Sequence, residues 1–88
     1  MTEHSDDYIL GRLIERSRLL IAISEEIPVE TKLQTQPLLK QLEQLLEAEA
    51  GALDVERIRG THELLRRELE PYADLDALVS AMATFLPE

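Results

Sequence analysis

Between Asp6 and Glu26 apolar residues recur at the three-and-four spacing of an α-helix, in two adjacent stripes. One stripe holds Ile9, Leu13, Leu20 and, just past the segment, Ile27; the other holds Leu10, Ile14 and Ile21. The pattern predicts a first helix over about 6–26, with Ser5 as its N-cap and with Asp6 and Asp7 set against the positive end of the helix dipole. Pro28 ends it, because proline pushes the residue before it out of the α region. The stretch from Pro28 to Gln36 reads as a link in which Val29 and Leu33 either dip into the core or make a short helical turn. Pro37 suits the first position of a second helix, where its missing N–H has no intrahelical acceptor to lose. That helix runs over about 37–50, with Leu38, Leu39, Leu42, Leu45 and Leu46 inward and Lys40, Glu43, Gln44 and Glu47 toward water; Gly51 is its expected C-terminal cap.

Asp54 is placed to cap a third helix over about 55–70, on which Val55, Ile58, His62, Leu65 and Leu69 share one face. Its outer face is charged: Arg59, Glu63 and Arg67 stand four apart, and Arg66 is positioned to pair with Glu70. Pro71 ends this helix and Asp74 caps the last, over about 75–86. There Leu75, Leu78, Val79, Met82, Phe85 and Leu86 follow the spacing of a bundle seam. The connections are short and no strand-like alternation or repeat interrupts them. The expected fold is all-α: one domain, 1–88, arranged as a compact antiparallel four-helix bundle and open to completion by dimerisation.

One run strains that picture. Leu19-Leu20-Ile21-Ala22-Ile23 is apolar at five consecutive positions, which at 100° per residue point all the way round a helix. Each helix of a lone four-helix bundle keeps a solvent side, so this run asks for a further cover. That cover is either the 28–36 link folded over it, or a partner helix, most simply from a second copy. The fourth helix hints the same way, since Ser80, Thr84, Ala77, Ala81 and Ala83 are small enough to let another helix approach. Leu19, Ile23, Val79 and Met82 are the candidate residues for association.

Charge and composition narrow the function. Eighteen acids against nine bases give a net charge of −9, which repels nucleic-acid phosphates and anionic membranes alike. The longest apolar run is too short to span a bilayer, and no signal-like segment opens the chain, so the expected location is cytoplasmic. The absence of cysteine excludes a disulfide, a thiolate metal site and a cysteine nucleophile. His62-Glu63-Leu64-Leu65-Arg66 begins like a zinc-protease helix, but Arg66 stands where the second histidine must be, and the only other histidine is His4. The acid pairs (Asp6 with Asp7, Glu25 with Glu26, Glu47 with Glu49, Asp74 with Asp76) fall mostly at helix ends, where solvation and the dipole account for them. No catalytic, cofactor-binding or metal residue is assigned, and no small-molecule substrate is implied.

The expected function is therefore a non-catalytic, acidic protein-interaction module (an adaptor, regulator or chaperone-like factor) that forms homodimers and contacts another protein. Two other readings are weighed against it. In one, the carboxylates imitate phosphates and block a DNA-binding protein or nuclease. In the other, Arg57, Arg59, Arg66 and Arg67 make the third helix a helix-turn-helix-like DNA reader, although Glu56, Glu63, Glu68 and Glu70 neutralise much of their field.

Overall fold

In the computed structural model, which describes residues 6–48 and 50–87, four helices follow one another: α1 (Asp6–Ile23), α2 (Val29–Leu46), α3 (Val55–Leu69) and α4 (Ala73–Met82). A short 3-10 turn, Ala50–Ala52, lies between α2 and α3. No strand occurs among the described residues, and the fold is the expected all-α four-helix arrangement.

The boundaries differ from the expected ones in ways that have local causes. Helix α1 stops at Ile23; the Ser24 N–H still reaches the Leu20 carbonyl at 3.0 Å, and the Ser24 hydroxyl then accepts from the Glu26 N–H at 3.2 Å, bending the chain away. Ile27, only 4% exposed, anchors this turn in the core. The segment expected to be a link is the first half of α2. Pro28 has an extended backbone (φ −60°, ψ 151°) and serves as N-cap, its carbonyl accepting from the Lys32 N–H at 3.0 Å. Pro37 therefore lies inside the helix and not at its start. Its ring removes one N–H, the one that would meet the Leu33 carbonyl, at a turn whose Leu33 is 69% exposed, so water can take the place of the lost donor.

Gly51 does not act as a left-handed cap: no described residue has positive φ, and α2 ends on Glu47, whose N–H is shared between the Glu43 and Gln44 carbonyls at 3.2 Å each. Asp54 does cap α3, its Oδ1 accepting from the Arg57 N–H at 3.1 Å. Tyr72, not Asp74, is the N-cap of α4, which leaves Asp74 and Asp76 in the first turn, against the helix dipole. Helix α4 ends at Met82, earlier than expected, and Phe85 and Leu86 then turn back on the Met82 carbonyl at 3.0 and 3.1 Å. Ser5 lies outside the described residues.

Each helix packs on its two neighbours in a closed cycle, α1 on α2, α2 on α3, α3 on α4 and α4 on α1. The core draws Leu10, Ile14 and Ile21 from α1, Leu39 and Leu42 from α2, Ile58, Leu65 and Leu69 from α3, and Leu75, Val79 and Met82 from α4. Of the two stripes on α1, the Leu10 stripe is thus the buried one, while Leu13 and Leu20 only flank the core. Polar links fix how α1 lies against α2: Arg18 pairs with Glu43 at 3.1 Å, the Gln36 amide donates to the Arg18 carbonyl at 3.2 Å, and Lys32 Nζ donates to the Ala22 carbonyl at 3.3 Å. The described Cα atoms extend 37 × 31 × 16 Å. With helix axes about 8–10 Å apart and Cα radii near 2.3 Å, the thin direction holds only two layers of helix. Every helix keeps an outer face.

Candidate functional site

The candidate association residues divide between surface and core. Leu19 is 59% and Ile23 64% exposed, whereas Val79 and Met82 are both at 0%. Val79 and Met82 are thus corrected to core positions: α4 turns them inward with Leu75 between α1 and α3, and neither presents a face to a partner. Nor does the α1–α2 connection wrap the apolar run. Its residues continue into α2, and they add to the exposed surface, because Val29 and Leu33 are each 69% exposed.

The exposed arc of α1 follows from helical geometry. Leu10, Ile14, Ser17 and Ile21 point into the molecule; at 100° per residue the opposite arc carries Tyr8, Arg12, Glu15, Arg16, Leu19 and Ile23, all of them exposed. An open hollow of about 570 Å³ runs along this arc. Arg12 and Arg16 outweigh Glu15 here, so the strip is locally cationic on a chain of net charge −9. None of these three makes an ion pair among the described residues.

A second open hollow of about 600 Å³ lies along α2, where Leu33 and Pro37 are framed by Lys32, Lys40 and the Arg18–Glu43 ion pair. Those two lysines are the only ones in the chain. Both α1 and α2 therefore join exposed aliphatic side chains to positive charge. Sequence reasoning missed Val29 and Leu33 because a proline at each end made their segment read as a link; their i,i+4 spacing was the available signal.

Elsewhere the polar groups are bound up in structure. His62, 7% exposed, donates from Nε2 to the Val79 carbonyl at 2.7 Å. Because α4 ends at Met82 and the Ala83 N–H turns to Ser80, that carbonyl is among those a helix end leaves without a partner. Ser17 and Thr35 return their hydroxyls to the carbonyls of Leu13 and Thr31, each at 2.8 Å. On α3, Glu63 stands 3.8 Å from Arg67, the four-apart contact expected of the Arg59, Glu63, Arg67 series, and 3.5 Å from Arg66, which takes it in place of the expected Glu70. No group of three or more metal-capable side chains comes together among the described residues; His4 and Glu49 lie outside them. No helix there is long and apolar enough to cross a membrane.

Compared with family models, with curated proteins and with solved structures, the chain matches none. The class is defined by the fold alone, a small all-α four-helix protein.

Proposed function

We propose that this chain is a non-catalytic protein-interaction module whose working surface is the outer face of α1 together with the amino-terminal half of α2. The observation that carries the reading is the exposure of Leu19, Ile23, Val29 and Leu33 at 59, 64, 69 and 69%. A single exposed leucine is ordinary. Here the four form two i,i+4 pairs on adjacent helices, and full burial of each such side chain against a partner is worth about 1.5–3 kcal/mol. The cations beside Leu19 and Leu33, Arg12 and Arg16 on α1 and Lys32 and Lys40 on α2, favour a partner with carboxylates at those positions, while Ile23 lies beside Glu25, Glu26 and Asp74.

The test is a chain carrying both Ile23→Asp and Leu33→Asp. Both sites are exposed, so helicity and unfolding midpoint are expected to stay near wild type, while complexes cross-linked in the native host are lost. Complexes that survive in equal yield, with both substitutions present, contradict the proposal.

A further inference from the structure

On the outer arc of α1, which also carries Arg16 and Ile23 along one side, Tyr8, Arg12, Glu15 and Leu19 follow one another as exposed positions. Their spacing of four, three and four is that of alternating seam positions in a coiled coil. The order is apolar, basic, acidic, apolar, and it has a special property when the helix is laid against a reversed copy of itself. A two-fold axis crossing α1 level with Leu13 and Ile14 sets Arg12 opposite Glu15 of the second copy and Tyr8 opposite Leu19 of the second copy. The symmetry repeats both contacts in reverse. A parallel arrangement instead sets arginine on arginine and glutamate on glutamate.

From this self-complementarity we infer that the chain forms a two-fold antiparallel dimer through the outer face of α1, centred on reciprocal Arg12–Glu15 ion pairs and flanked by Tyr8–Leu19 contacts. The inference rests on the interaction reading above and names the occupant of its α1 half: a second copy of this chain. Three further observations support it. Arg12 and Glu15 are three apart on one helix, yet they make no ion pair with each other or with another described residue, so both charges are free to be used across an interface. Two chains of net charge −9 repel, and a seam in which each Arg12 meets a Glu15 of the second copy balances its own charge at the point of contact. Finally, among the described residues no other element lies over the outer arc of α1, which packs on α2 and α4 by its other sides, so these elements let two copies approach to the usual 8–10 Å between helix axes. A seam of four layers is small beside a standard interface of about 1,600 Å², so the dimer is expected to depend on concentration.

The experiment is sedimentation equilibrium on the full chain over a wide concentration range, with circular dichroism on every variant. The wild type is expected to rise from 10.0 kDa toward twice that mass. Arg12→Glu and Glu15→Arg, each creating like-charge layers, are each expected to weaken the dimer about tenfold or more. Mixed in equal amounts, the two variants carry opposite charges at every layer and are expected to regain dimer as a one-to-one pair. Carried together in one chain, the substitutions are expected to restore the homodimer. A wild type that holds at 10.0 kDa throughout, single variants that dimerise as the wild type does, or a mixture that fails to pair would each overturn the inference. A purified chain that stays monomeric while its native complexes depend on Ile23 and Leu33 removes the dimer and leaves the interaction reading standing; loss of both observations removes both.

Discussion

His62 looks in the sequence like the start of a metal or catalytic motif, and in the fold it is a helix-end cap. Its ring is buried between α3 and α4 and holds the Val79 carbonyl at 2.7 Å. Removing it leaves that carbonyl unpaired and a void beside it. His62→Ala is therefore expected to cost about 2–4 kcal/mol in urea unfolding; a loss below about 1 kcal/mol would show that the contact is dispensable. The same scale explains the mixed outcome for the association residues. Leu19, Ile23, Val79 and Met82 have equal hydropathic claims to a surface or a core, and periodicity places them on stripes without saying which stripe faces in. The neighbours decide: α4 lies between α1 and α3 in the cycle, so its Leu75–Val79–Met82 stripe is enclosed, while no described element covers Leu19 and Ile23.

At the scale of elements, α3 was the most legible helix because strong punctuation bounds it on both sides, with Asp54 capping and Pro71 just beyond its end. Helix α2 was the least legible. Proline is favourable at a first position and costly inside a helix by about 3 kcal/mol, and this preference set the start at Pro37. The actual helix carries Pro37 because the earlier turns contribute buried Thr35 and the links from Lys32 and Gln36 to α1, which together outweigh one missing hydrogen bond. Pro37→Ala restores the bond to the Leu33 carbonyl at an exposed site. It is expected to raise stability by about 1–2 kcal/mol, the gain being trimmed by the greater freedom of the unfolded chain. An unchanged or lower thermal midpoint would mean that the helix is already strained out of reach of that bond. The α1 boundary was read three residues too long, since Ser24 competes for the backbone of Glu26, a local bond that hydropathy does not register.

For the whole molecule, the fold class followed from four helical segments with short connections, but the surface did not. A two-layer slab of 37 × 31 × 16 Å has room to enclose one stripe per helix and no more, which is why α1, apolar around its full circumference at Leu19 to Ile23, leaves Leu19, Ala22 and Ile23 exposed. Self-cover by the 28–36 segment is excluded by the shape that segment takes, because as part of α2 it exposes Val29 and Leu33 itself. Charge acts at this scale too. A net −9 opposes indiscriminate aggregation of such a surface, and the positive charges gathered beside the aliphatic strips give it a direction. The measurement that bears most directly on this account is the hydrodynamic mass of the untagged, natural-abundance protein in fresh lysate of its own host. The account predicts a species well above 10.0 kDa; a protein that runs wholly as a free 10.0 kDa monomer would contradict it.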